Sequence, residues 1–95
     1  QLLLDISADI PKDIRWVLRI DGHTDTRPIN TPQFPSNWEL SVARAISVVR
    51  YLVDRGVSPH RLMAAGFGEF QPLVDRDSDD AYKSNRRIEL KLTER

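Results

Sequence analysis

The chain contains no cysteine, which removes disulfide frameworks, thiolate nucleophiles and cysteine-ligated zinc sites together and leaves the redox compartment open. It has no excess charge of either sign: fourteen Lys plus Arg balance fourteen Asp plus Glu, so no long-range field draws it to nucleic acid or to an anionic membrane surface. No apolar run reaches the length of a membrane span or a signal sequence. The first residues are QLLLDI, without an initiator methionine, and the expectation is a fragment of a longer protein whose targeting segment lies upstream. Ninety-five residues at 40% hydrophobic content supply one two-layer core, too little for an enzyme with separate cofactor and substrate domains. Residues 1–95 therefore read as a single domain.

Among what is present, Leu2, Leu3, Ile6 and Ile10 recur at helical spacing until Pro11 ends the pattern, which predicts a short amphipathic helix. Arg15 to Asp21 alternates as a strand, with Trp16, Leu18 and Ile20 on a core face. Gly22 breaks the alternation, where a residue without Cβ turns the chain and lets the following amides approach a ligand. Between Thr26 and Pro35, three prolines with Asn30 and Gln33 predict a stiff exposed loop, which loses less entropy when a ligand docks. Ser36 and Glu39 have capping-box spacing and start a helix whose buried stripe is Trp38, Val42, Ala45, Ile46, Val49, Leu52 and Val53. Gly56 suits its left-handed cap.

After a turn at Ser58 to Arg61, Leu62 to Phe67 forms a short strand bounded by Gly66 and Gly68. Gln71 to Asp80 is a polar loop, Ala81 to Asn85 a helical turn, and Arg86 to Glu94 a closing strand in which Ile88, Leu90 and Leu92 alternate with polar residues. The expected class is α+β, an α/β two-layer sandwich with helices packed on one face of a small mixed β-sheet.

Asp25 in the loop and Arg44 on the helix carry opposite charges where a core has no need of them. Arg44 shares a polar helix edge with Ser41 and Asn37. A guanidinium grips a flat carboxylate with two prongs and a carboxylate satisfies an ammonium, so the two side chains together suit an amino-acid head group. Local chemistry offers a plainer account: Asp25 in an Asx turn, Arg44 paired with Asp54 or Glu39 on the surface. The residues alone leave both open. His23, beside Asp21 and Asp25, falls short of the three or four ligands of a zinc site, since His60 belongs to a distant turn, and a histidine bridging strand and loop by hydrogen bonds is expected instead. Ser36, Ser41 and Ser47 lack a G-x-S-x-G elbow or an oxyanion loop, which counts against a Ser-His-Asp hydrolase. No metal and no cofactor is expected. Trp16 and Trp38 read as core, Phe34 and Phe70 as contact surface, Asn85 as a turn former.

GHTD, then NWELSVARA, GFGEFQP and NRRIEL, in this order, resemble the OmpA-like peptidoglycan-binding domain of outer-membrane proteins, peptidoglycan-associated lipoproteins and flagellar stator B subunits. The likeness runs from about Trp16 to Leu92, and the long loop TRPINTPQFPSNWELS is similar to the MotB-type branch. It implies non-covalent, non-catalytic binding of the cell wall through the free end of meso-diaminopimelate in the stem peptide. By this likeness Asp25 meets the ammonium, Arg44 the carboxylate, and Asn37, Leu40, Arg86 and amides around Thr24 complete the site. The loop between Asp25 and Asn37 departs from the short turn of other members and bears on the rim. The implied partner is peptidoglycan and the implied place the periplasm of a Gram-negative envelope, with a membrane-attached parent protein that is a candidate flagellar stator subunit; a homodimer is left open. Competing readings are a peptidoglycan hydrolase or amidase and a dimerisation module of an envelope complex.

Overall fold

The computed structural model of the chain describes residues 16–94. Its elements, in order, are β1 (Trp16–His23), α1 (Asn37–Asp54), a 3₁₀ turn (Pro59–Arg61), β2 (Leu62–Gly66), α2 (Asp79–Asn85) and β3 (Arg87–Glu94). The sheet has three strands in the order β2-β1-β3, with β1 parallel to β2 and antiparallel to β3. A parallel pair needs a crossover, and α1 supplies it. The amphipathic helix expected at Leu2 to Ile10 lies outside the described residues.

Register decides which residues meet α1. Leu18, Ile20 and Gly22 stand opposite Leu62, Ala64 and Gly66 on one side and Leu92, Leu90 and Ile88 on the other, so all nine share a face. Helix α1 packs on this face against β1 and β2. The apolar row of β3 alternates as the sequence predicts, yet Ile88, Leu90 and Leu92 lie beyond the edge of α1 and are exposed. The core gathers Trp16, Leu18, Ile20, Ala45, Leu52 and Val57, with Val48, Val49 and Leu62 packed against it.

Strand β1 runs two residues past Asp21, and the role of Gly22 differs from expectation. Its φ is not positive, and it makes no turn. A Cβ built on Gly22 would stand 2.1 Å from the carbonyl oxygen of Ser41, and one on Gly66 would stand 2.3 Å from Cγ2 of Val42 and 2.7 Å from Oγ of Ser41. Paired glycines thus open a shallow seat into which the backbone of α1 descends.

The seat also rotates the helix. Residues Asn37, Ser41, Ala45 and Leu52 form its buried line, while Trp38, Val42 and Ile46 of the expected stripe are exposed. Small side chains meet the sheet because the backbones are too close for large ones. Ser41 is fully buried without penalty, since its hydroxyl donates to the carbonyl of Trp38 (3.0 Å) and accepts from the amide of Gly68 (3.0 Å). Trp38 instead stacks on Phe70, with ring centroids 5.1 Å apart. The second face of β1 also departs from the sequence reading, because Val17, Asp21 and His23 are buried as well. On that face of β1 Phe67 stacks on His23 and lies under the Arg19 guanidinium, which grips Asp21.

The helix ends follow local rules. The Ser36 hydroxyl accepts from the Trp38 amide (3.2 Å) and donates to Oε1 of Glu39 (2.6 Å), so Glu39 holds the cap hydroxyl where a full capping box would hold the cap amide. At the far end Gly56 takes φ of 101°, its amide reaches the Val53 carbonyl, and the Val57 amide reaches that of Leu52. This is a Schellman closure, sealed by the burial of Val57 and Leu52.

Replacing Gly22 by alanine forces Ser41 off the sheet and is expected to lower stability by about 1–3 kcal/mol or more. Gly56→Ala meets open space and is strained only by its φ, so its loss should be about 1 kcal/mol. Urea unfolding of the two variants checks the order; equal losses would contradict the seat.

Candidate functional site

The parallel strands deliver the chain to the rim where the site is built. Just past β1 the Thr24 amide donates to the Gly68 carbonyl (2.9 Å) and the Phe67 amide to the Gly22 carbonyl (3.0 Å). These bonds tie the loop after β1 to the loop after β2. Carboxyl ends of parallel strands are a common place for ligands, because backbone groups there lack sheet partners.

Thr24, Asp25, Asn37, Leu40, Arg44 and Arg86 all line one cavity of about 400 Å³, together with Arg27, Pro28 and Ile29 from the loop. Folding therefore brings the six sequence-selected residues together. Asp25 is buried, and its carboxylate accepts from the Arg27 amide (2.9 Å, Oδ1) and from Nη2 of the Arg27 guanidinium (2.6 Å, Oδ2). Nη1 of Arg86 lies 3.6 Å from Oδ2. Burial pushes the Asp25 carboxyl up, but the side-chain and backbone bonds from Arg27, its charge and that of Arg86 outweigh it. The group is held below the usual carboxylate range and is ionised at neutral pH. The Asx turn and the pocket thus coexist at one residue.

Asn37 opens α1 and is buried, its Nδ2 donating to the carbonyls of Arg27 (3.1 Å) and Asp25 (3.4 Å) and to Glu69 (3.4 Å). It fastens the start of the loop to the helix. Arg44, two turns on, is exposed at the cavity wall and has neither ion pair nor hydrogen bond among the described residues, so the surface pairs with Asp54 or Glu39 do not form. The guanidinium stands ready for an anion.

Arg27 escaped the sequence reading. Its guanidinium lies over the Tyr82 ring at 4.6 Å, and its neighbour Thr26 reaches Asp77 at 3.4 Å, so the loop is anchored towards α2. Its signal was its position two residues after an aspartate, where an Asx turn places the amide that donates to the carboxylate. Asn85 proves more than a turn former. It is buried, takes the amides of Leu73 (2.8 Å) and Val74 (3.0 Å) on Oδ1 and donates to the Val74 carbonyl (2.9 Å). This clamp on the preceding loop sets where Arg86 begins.

His23 corrects a further expectation, for it bridges no loop by hydrogen bonds. Both ring nitrogens are buried without a hydrogen-bond partner among the described residues, and Nε2 stands 3.9 Å from Glu89. Flat stacking on Phe67, 5.0 Å between centroids, holds the ring. Asp21, His23 and Glu89 present ligand atoms within 4.8 Å of one another, a set formed only when β3 pairs with β1. Arg19 grips both oxygens of Asp21 (2.7 and 2.9 Å), and Arg87 and Lys91 engage Glu89. Three cations over two carboxylates oppose a further divalent charge here. On the outer face of α1 a second, apolar hollow of about 390 Å³ is lined by Phe34, Trp38, Val42 and Ile46.

A family model described as the OmpA family matches residues 1–86. The chain is 42% identical over 82 residues to the Bacillus subtilis protein YtxE, covering 85% of this chain and 32% of that protein. It is 35% identical to motility protein B of Bacillus subtilis (80% of this chain, 30% of that one) and 36% identical to the peptidoglycan-associated lipoprotein of Pseudomonas aeruginosa (93% and 50%). The crystal structure of the periplasmic domain of Helicobacter pylori MotB superposes with a TM-score of 0.85 at 29% identity, covering 98% of this chain and 58% of that one. The chain spans from about a third to a half of the length of the curated relatives it matches.

Burial first, and then the charge of Arg87, pushes the His23 imidazole below its ordinary value of 6.5, against Glu89 and Asp21. Below that pH the unfolded chain binds the proton that the folded chain refuses, so stability should fall as pH drops under about 6.5 and level off below the folded value. Urea midpoints between about pH 5 and 8 should show this slope in the wild type and a flatter one in His23→Gln; an unchanged slope would contradict it.

Proposed function

The chain belongs to the OmpA family, with the MotB-type branch among its relatives, and from that premise we propose that it binds peptidoglycan non-covalently through diaminopimelate. The free end of that residue in the stem peptide presents an ammonium and a carboxylate on one carbon. One observation carries the reading: an ionised Asp25 and an Arg44 that has no ion pair or hydrogen bond among the described residues line the same open cavity. Asp25 takes the ammonium, Arg44 takes the carboxylate in two-pronged fashion, and Leu40 supplies apolar wall.

The consequence is anchoring without chemistry. Among the described residues no hydroxyl in the cavity is paired with an imidazole: Thr24 donates to the Asp25 carbonyl, and the nitrogens of His23 have no hydrogen-bond partner there. Each charge-assisted bond is worth about 1.5–3 kcal/mol before ordering and desolvation are subtracted, so a single pocket holds a small ligand weakly. Firm attachment comes from many stems on one polymer and from linked copies of the domain. The place of action is the cell envelope. The Pseudomonas and Helicobacter relatives fit a Gram-negative periplasm, whereas the Bacillus relatives extend the family to a Gram-positive wall. Names such as motility protein B support a parent protein that is a flagellar stator subunit, in which this domain is the wall anchor and a homodimer doubles the grip.

Titration with meso-diaminopimelate, followed by amide NMR, should shift Thr24, Asp25, Asn37 and Arg44. Asp25→Asn and Arg44→Ala should each weaken binding about tenfold or more. Shifts confined to other residues, or wild-type affinity in both variants, would contradict the pocket. Incubated with purified sacculi, the protein should sediment with them and release no soluble muropeptides; steady release would make it a hydrolase, and Arg44→Ala that kept all wall binding would favour a dimerisation module.

A further inference from the structure

The walls of the cavity carry three guanidiniums, Arg27, Arg44 and Arg86, against one carboxylate, Asp25. A simple zwitterion brings one charge of each sign and leaves this surplus unchanged. More pointedly, the seat of the ammonium is already taken. Nη2 of Arg27 lies 2.6 Å from Oδ2 of Asp25, the shortest polar contact of that carboxylate among the described residues.

Resting on the reading of the pocket above, we propose that Arg27 is a specificity residue: it yields Asp25 to the ligand ammonium and binds a second carboxylate on the same stem peptide. The pocket's full ligand is thus a segment with one ammonium and two carboxylates. The Arg27 backbone is fixed at both ends of the residue, its amide on Oδ1 of Asp25 and its carbonyl under Asn37, so only the side chain needs to move. That side chain is half exposed, packed against the edge of the cavity by Tyr82. Exchanging a guanidinium for an ammonium on one carboxylate is close to neutral, since one charge-assisted bond replaces another. It becomes favourable when the displaced guanidinium finds its own anion within the cavity. Without that anion, binding leaves Arg27 and Arg86 both facing a cavity whose single carboxylate is engaged elsewhere. Two groups on a stem can provide the second carboxylate: the terminal one of the peptide, or the free one of the residue preceding diaminopimelate.

The test is a cycle between ligand and side chain. Three synthetic stem peptides containing diaminopimelate are titrated by NMR or calorimetry: one with every carboxylate free, one amidated at its terminus, one amidated at the preceding residue. Wild type should bind one of the amidated peptides about tenfold more weakly than the free one, which identifies the source of the second carboxylate. In Arg27→Gln that penalty should vanish, and the amidated peptide should bind more tightly than to wild type because its ammonium no longer has a competitor. Equal binding of all three peptides by wild type overturns the inference while leaving the zwitterion pocket intact. A penalty that persists in Arg27→Gln and disappears in Arg86→Gln overturns the assignment to Arg27. Failure of wild type to bind any of the three overturns the peptidoglycan reading itself.

Discussion

Everything in this domain that concerns recognition depends on how closely one helix approaches two strands. Gly22 and Gly66, directly opposed in the parallel pair, leave no Cβ between the sheet and Ser41. The helix sinks to backbone contact, and the first two turns of α1 come level with the ends of β1 and β2. Asn37 can then reach the carbonyls of Asp25 and Arg27, and Leu40 and Arg44 become the wall opposite Asp25. Any side chain at either glycine would lift the helix and widen that gap. Packing at one point therefore sets the separation of charges at another.

Electrostatically the pocket is an unequal arrangement held in place by a turn. Asp25 is buried enough to resist ionisation, and the bonds from Arg27 reverse that tendency. The same Asx turn that would explain the aspartate as mere chain geometry also keeps its charge present in a half-enclosed space. Turn geometry and a retained negative charge are here two aspects of one set of bonds. Arg44 is the contrast: exposed, without a partner among the described residues, and so able to bind an anion without first giving up another contact.

Family membership and geometry support each other from independent directions. Relatives named as motility protein B and peptidoglycan-associated lipoprotein point to the cell wall, and the fold superposes on the periplasmic domain of MotB. Fold likeness by itself says little about a site. What links the two is that residues distant along the chain, on a loop, on a helix and at the cap just before the last strand, converge on one cavity that holds a carboxylate and guanidiniums together. The proline-rich loop after β1 adds Arg27, Pro28 and Ile29 to the lining of that cavity.

Local patterns were sufficient to determine the strands, the helix starting at Ser36, its glycine-dependent end and the α+β class, because alternation, capping and left-handed closure are written in neighbouring residues. They were also sufficient to single out Asp25 and Arg44, as charges that no core needed. Tertiary structure alone decided which side of α1 is buried: hydropathy favoured Trp38, Val42 and Ile46, whereas close approach to a glycine-lined sheet admitted Ser41 and Ala45. It also decided that His23 meets Glu89 across the sheet, that the row of Ile88 is exposed, and that Arg27 pairs with the Asp25 carboxylate. These are distances between segments far apart in the chain or between flexible side chains, and periodicity along one segment carries no measure of either.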